Sequence, residues 1–154
     1  KEDNTRVERF RSWELAWMMY KDHPVIGVGA ANYPWNVANY QRKTDWWGTA
    51  RPLDGRQVHS MYFEVLADLG TLGMLIFLYV VYKLPFNLYK VINRFLKGKD
   101  DLLWLKRLMQ GLIVSMSAYA ASGAFISVAY YPHWVVWVTL YAICMRELKV
   151  ASKV

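Results

Sequence analysis

"MYFEVLADLGTLGMLIFLYVVY", residues 61–82, is the stretch of sequence that decides the fold. From Leu69 to Tyr82 it carries no charge. With the residues before them, these positions predict a helix of about 22 residues, long enough to cross a ~30 Å hydrocarbon core at ~1.5 Å per residue. Glu64 and Asp68 lie one turn apart near its start, and Ser60 falls on the same face. Carboxylates near the end of a membrane helix usually face a protein interior or water, so we expect Ser60, Glu64 and Asp68 to form a polar face.

Two further apolar segments, at about residues 108–130 and 132–148, predict two more membrane helices. The distribution of basic residues gives their orientation. Residues 83–107 contain seven Lys and Arg, whereas the short link between the second and third segments contains none. Because positive loops stay cytoplasmic, 83–107 is predicted to lie inside and 1–60 outside. The predicted fold is an all-α membrane protein, with an external helical loop over 1–60 followed by about three transmembrane helices within 61–154 (61–82, 108–130 and 132–148).

Two broad alternatives fit the composition less well. A soluble helical bundle could also bury long apolar helices, but the charge asymmetry between the loops favours a membrane protein. The net charge of +7 would suit a nucleic-acid-binding protein. The basic residues lie beside apolar segments, however, so we expect membrane lipid rather than nucleic acid as a partner. The sequence begins with Lys rather than Met, and we expect a fragment of a longer multi-pass protein.

The external segment combines a helix with two loops. Phe10, Trp13, Trp17 and Tyr20 recur at helical spacing and predict a helix from about Arg6 to Lys21 with an aromatic stripe. Such a stripe usually packs against a neighbouring domain or lies in the membrane interface. Residues 23–36 and 44–57 are rich in Gly, Pro and Asp and predict loops.

The external segment also holds the residues that suggest chemistry. The three histidines match no metal-ligand spacing, so neither a metal nor a cofactor is expected. Arginine binds phosphate through a planar group that stays charged, and a neutral histidine can take a proton near neutral pH. Arginines together with His59 therefore suit a phosphate-bearing leaving group and an attacking hydroxyl. The alternative for His59 is a histidine that merely ends a loop before the helix.

Two stretches carry a resemblance to a known family. "RFRSWELAWMMYKDHPVIGVGAANY" (residues 9–33) and "VHSMYFEVLADLGTLGMLIFL" (residues 58–78) resemble the C-terminal half of the O-antigen ligase and polymerase family, bacterial inner-membrane glycosyltransferases. "GAFISVAYY" (residues 123–131) resembles the exosortase-associated O-glycosylation ligase branch. The chain departs from the family pattern in having "DLG" for the frequent "ELG" and His-Ser for the commoner His-Asn. The residues that match the pattern are Arg9, Trp13, Asp22, Pro24, Gly27, Gly29, His59 and Ser60.

The resemblance implies a metal-independent glycosyltransferase of lipopolysaccharide or other polysaccharide biosynthesis. It would move a glycan from a polyprenyl-diphosphate carrier to a hydroxyl of a glycan, lipid or protein. The protein would be a multi-pass protein of the bacterial inner membrane with its active site facing the periplasm, and this chain would hold an incomplete enzyme. His59 would be the catalytic base and Arg9 would bind the donor diphosphate, with Arg11, Arg51 and Arg56 as helpers.

Two other functions stay open. The chain could belong to a transporter or flippase that binds a lipid-linked sugar without catalysis, and ionisable residues at mid-span would then mark its pathway. It could also be a structural membrane segment whose loop anchors on lipid headgroups. The external placement of His59, Arg9 and Arg56, and the lack of charge in the second and third segments, favour the enzyme.

Overall fold

The computed structural model describes residues 4–151, and this part of the chain contains helices and no strands. An all-α chain was predicted, and this much is confirmed. The described residues form two compact units, one with the residues up to Phe77 and Ser122–Tyr130, the other with Leu78–Ala121 and the residues from Tyr131 onward. The elements are α1 (Asn4–Asp22), α2 (Tyr33–Gln41), α3 (Met61–Phe95), a 3-10 turn (Asp100–Leu102), α4 (Leu103–Ser122) and α5 (His133–Ala151).

Helix α3 begins where the sequence predicted and ends later. It continues past the expected end at residue 82, through Pro85 to Phe95, so 83–95 is helical rather than loop. A proline removes one backbone hydrogen bond, and apolar helices tolerate that loss as a kink. Among the described residues α3 alone is long and apolar enough to cross a membrane, with a mean hydropathy of 1.9. Most of its apolar stretch is exposed, whereas a soluble core helix would be mostly buried.

A break interrupts α3 at Gly70, whose φ of 63° and ψ of −160° are not helical. In a continuous helix the amides of Thr71 and Leu72 would donate to the carbonyls of Ala67 and Asp68. In this structure the segment after α1 supplies the hydrogen-bond partners for both the carbonyls and the amides. Val28 and Gly29 donate to Ala67 and Asp68 at 2.9 and 2.8 Å, while Thr71 and Leu72 donate to Pro24 and Val25 at 2.8 and 3.1 Å. We call residues 24–29 and 67–72 the loop–helix junction.

The first unit has its core around α1 and α2. The phenol of Tyr33 donates to the Ser12 carbonyl at 2.9 Å and joins the two helices. Helix α2 was not predicted, although Pro34 at its start is a typical helix-initiating signal. The carboxylate of Asp68, distant in sequence, accepts the Tyr33 amide at 2.8 Å at the N-terminus of this helix. The core cluster consists of Leu15, Ala16, Met19, Tyr33, Val37, Tyr40, Leu53, Val58 and Ala67.

Helix α4 ends at Ser122, not near residue 130 as the sequence suggested. Backbone groups of the following segment bond to the start of α3 instead of continuing the helix. The Gly123 carbonyl accepts the Met61 amide at 2.7 Å, and the Ala129 amide donates to Glu64 at 3.1 Å. The helical pattern of the sequence could not reveal these long-range bonds.

The second unit contains the later part of α3 together with α4 and α5. Its core cluster consists of Leu88, Ile92, Leu96, Leu105, Met109, Leu112, Met116, Trp137 and Cys144. The predicted helices near 108–130 and 132–148 therefore exist as α4 and α5 with shifted bounds. Their passage through a membrane stays a prediction.

Candidate functional site

His59 lies in the loop directly before α3, on a backbone held at both sides. Its φ of 56° is unusual for a residue other than glycine. Its amide donates to the Ser127 hydroxyl at 2.9 Å, and two residues later the Met61 amide donates to Gly123 at 2.7 Å. The His59 side chain itself is exposed. The fold thus fixes the backbone of this histidine and leaves its imidazole accessible, although partly covered.

Two arginines act on the imidazole. Partial burial lowers the pKa of His59, and the positive charges of Arg9 and Arg56 lower it further, while Glu8 opposes them. Arg56 donates to the Glu8 carboxylate at 2.8 Å. The N-terminal part of α1 and the loop before α3 therefore bring Arg9, Arg56 and His59 into one electrostatic environment. That environment favours the neutral imidazole, the form that can accept a proton.

The other two candidate arginines line a cavity. Arg11 and Arg51 border a space of about 400 Å³, together with Thr5, Val7, Glu8, Thr49 and Ala50. The Arg11 guanidinium lies 5.0 Å from the centre of the Trp46 ring, an orienting cation–π contact. Neither His59 nor Arg9 borders this cavity. The four arginines thus form two groups, and Glu8 belongs to both.

The polar face predicted on α3 is buried and hydrogen-bonded. Glu64 accepts the Ala129 amide at 3.1 Å. Asp68 accepts the Tyr33 amide and the Tyr130 hydroxyl, each at 2.8 Å. Ser60 is also buried, and its carbonyl accepts the Glu64 amide at 2.9 Å. These contacts hold α2 and residues 122–130 against the start of α3. A direct role of the three residues at the site stays a prediction.

Several residues of the site were not found from the sequence. Glu8 is the ion-pair partner of Arg56, and Ser127 binds the His59 amide. The partners of these pairs are 48 and 68 positions apart, and no local pattern marks them. Residues 123–131 were singled out only for their family resemblance, and their contact with the His59 backbone was not predicted.

The family motif between α1 and α2 builds the scaffold of the site. A hydrogen bond from Tyr40 and the charge of Lys43 lower the pKa of Asp22, and Lys43 lies 3.4 Å from that carboxylate. Gly27 is at φ 68°, and a Cβ there would collide with the Asp68 backbone. The motif residues Asp22, Pro24, Gly27 and Gly29 thus join the end of α1 to α2 and to the break in α3.

The described residues are all-helical, include one helix of membrane length, and place a histidine in the electrostatic environment of two arginines just before that helix, which fits a membrane protein. Comparison with known proteins gives the family: the sequence model described as O-antigen ligase matches residues 1–78. The chain belongs to the O-antigen ligase family, as the resemblance had indicated. No curated protein and no solved structure matches the chain.

Family membership carries a general functional meaning. The family is a membrane protein family, and it suggests glycosyl transfer at a membrane with lipid-linked glycan and acceptor substrates. It is also consistent with an enzyme. The match covers α1, α2, the loop with His59 and the first part of α3 through the loop–helix junction.

Proposed function

We propose that this chain carries the catalytic loop of a metal-independent glycosyltransferase of the O-antigen ligase or polymerase type. Its donor is a glycan on a polyprenyl diphosphate, and its acceptor is a hydroxyl of a glycan, lipid or protein. The enzyme lies in the bacterial inner membrane with its site open to the periplasm. The observation that carries the proposal is the exposed His59 on a fixed backbone, with Arg9 and Arg56 favouring its neutral form.

In the proposed reaction, the His59 imidazole accepts the proton of the acceptor hydroxyl as its oxygen attacks the anomeric carbon of the donor. The bond between that carbon and the diphosphate oxygen breaks, and the lipid diphosphate leaves with the bonding electron pair. Arg9 neutralises the charge that develops on the leaving diphosphate. General-base assistance contributes about 10²–10⁴-fold in rate, and electrostatic stabilisation of the leaving group often contributes more.

Arg9 suits the diphosphate better than its neighbours do. Its side chain is half-buried and has no hydrogen-bond or ion-pair partner among residues 4–151, whereas Arg56 is paired with Glu8 and Arg11 lies over Trp46. An arginine without a partner can direct its fork of guanidinium N–H donors at a diphosphate. Arg11 and Arg51, at their separate cavity, are proposed to hold a more distant part of the donor.

Substitution of His59 tests the proposal. In the full-length protein, His59→Ala should lower glycan transfer by about 10²-fold or more, while membrane abundance and binding of the lipid-diphosphate donor stay at wild-type levels. His59→Asn is the second variant, because asparagine tolerates the positive φ of this position. It should lose transfer equally without disturbing the loop.

His23→Ala is the matched control, since His23 is an exposed histidine of the same unit. Its hydrogen bonds to Met19 and Gly27 are made by its backbone, so they remain in the variant. It should retain transfer. Wild-type transfer in both His59 variants would refute the proposed base. If the His59 variants lose transfer but still bind the donor, His59 acts in the reaction itself. A transporter that only binds the donor would not show this pattern.

A further inference from the structure

Two aliphatic side chains stand out on the loop–helix junction. Val25 and Ile26, at the tip of the loop after α1, are 64% and 70% exposed. Aliphatic residues this open at a loop tip have a high hydration cost, of about 25 cal/mol for each Å² of apolar surface. The loop is otherwise tightly held, because its backbone forms four hydrogen bonds with the break in α3. The backbone hydrogen bonds therefore hold the tip in a position where its side chains are exposed.

The tip is continuous with an exposed apolar stripe on α3. Leu72, Leu75 and Ile76 lie on one face of the helix and are 55–60% exposed. The Leu72 amide donates to the Val25 carbonyl at 3.1 Å, so the tip adjoins the first turn of this stripe. The stripe belongs to the charge-free stretch of the one described helix with membrane length.

We propose that Val25 and Ile26 insert into the hydrocarbon of the bilayer beside α3, so that the loop after α1 is a shallow membrane-embedded element. The occupant of this surface is lipid acyl chain. The same environment that surrounds Leu72, Leu75 and Ile76 extends over the tip, because the two surfaces adjoin. This inference concerns the membrane surface of the first unit and does not depend on the chemistry proposed for His59.

The hydrogen bonds of the junction reduce the usual obstacle to such an insertion. Irregular backbone is excluded from lipid because unpaired amides and carbonyls there are costly. The break in α3 offers two carbonyls and two amides, and the loop satisfies all four. The Gly27 amide also donates to the His23 carbonyl at 3.0 Å. The broken helix and the loop thus satisfy each other's backbone groups, which neither could do alone inside the hydrocarbon.

Charged residues limit the depth of the insertion. Lys21, Asp22 and His23, directly before the tip, are exposed, and Asp22 pairs with Lys43. Such groups stay at the headgroup level, where a lysine can extend its amine to water. The membrane surface therefore passes between His23 and Val25. The half-exposed Trp17, one helical turn before Lys21, fits the aromatic belt of that interface.

Spin labelling of the full-length protein in liposomes tests the insertion. With Cys144→Ala as background, nitroxides are attached to Ile26→Cys and, as a second site, Val25→Cys. Oxygen concentrates in hydrocarbon and a nickel chelate stays in water. We expect both labels to collide more with oxygen than with nickel. A label on Thr49→Cys, an exposed residue of the same unit, should show the opposite ratio.

Two outcomes would overturn the inference. Nickel collisions exceeding oxygen collisions at both tip positions would show that the tip lies in water. Protection from both reagents would show that protein, rather than lipid, covers it. A circular-dichroism spectrum with wild-type helicity is required of each labelled variant, so that a misfolded protein is not scored.

Discussion

At the scale of single residues, Arg9 offers the sharpest distinction between charge and shape. We expect Arg9→Lys to lose most glycan transfer although the charge is kept, because lysine cannot present the planar, bidentate group that a diphosphate fits. Transfer rates in membranes at saturating acceptor, with donor concentration varied, measure the effect. Transfer at the wild-type rate in Arg9→Lys would show that Arg9 does not bind the diphosphate in this way.

The pH profile provides the control for this substitution. Burial and the arginine charges lower the pKa of His59, so its imidazole stays neutral below the ordinary value of about 6.5. Transfer that needs the neutral base should therefore fall only when the pH drops through that lowered pKa. Because Arg9→Lys keeps the positive charge, it should reduce the rate without moving the midpoint. A moved midpoint would indicate that the substitution disturbs His59 itself.

The sequence suggested His59 and Arg9 as candidates but did not reveal how they are held. Residue type and motif spacing were enough to select them, since few side chains can accept a proton or bind a diphosphate near neutral pH. Glu8 and Ser127 escaped because their roles arise from pairing across the fold. Glu64 and Asp68 drew notice for their helical spacing, and the structure shows what the spacing could not, namely that backbone amides face them.

At the scale of elements, the junction between the loop and the broken helix explains why glycines recur in the motif. Gly70 has φ 63° and ψ −160°, a region that is essentially restricted to glycine. A Cβ there would lie 2.6 Å from the Val25 backbone and 2.7 Å from the Gly27 amide nitrogen. In the "DLG" stretch, Asp68 thus binds the backbone amide at the start of α2. Gly70 leaves the space into which the loop after α1 packs.

We therefore expect Gly70→Ala to destabilise the protein by at least the ~1–3 kcal/mol typical of such backbone strain, with the collision in addition. Thermal unfolding in detergent measures it. Gly111→Ala is the matched control, because Gly111 is helical and nothing lies within 4 Å of the added methyl group. The control should be neutral or stabilising, as alanine favours helix. Equal melting temperatures for the two variants would contradict a strained junction.

The elements that the sequence predicted best are those with strong periodicity. Helix α1 was expected over about Arg6 to Lys21 and is found over Asn4–Asp22, and α3 begins at Met61 as expected. The failures share one cause. Helix α2, the end of α4 at Ser122 and the break at Gly70 all depend on hydrogen bonds to distant segments. Hydrophobic periodicity reports only which face of a segment is buried.

At the scale of the whole molecule, the basic residues are distributed asymmetrically. Residues 83–107 contain seven Lys and Arg, whereas the short link at about 130–133 contains none. Residues 1–60 contain nine, which is no obstacle to an external position, since long loops cross membranes largely regardless of charge. Arginines retained in an external loop are what an enzyme with an anionic donor needs, because Arg9 would meet the lipid diphosphate there.

Labelling of intact cells tests this topology. In a Cys144→Ala background, we expect a membrane-impermeant thiol reagent to modify Asp45→Cys from outside and to leave Lys97→Cys unmodified until the cells are opened. Both positions are exposed, so access to the reagent depends on the side of the membrane and not on burial. Modification of Lys97→Cys in sealed cells, with protection of Asp45→Cys, would reverse the orientation. His59 and Arg9 would then face the cytoplasm, where the proposed periplasmic transfer could not occur.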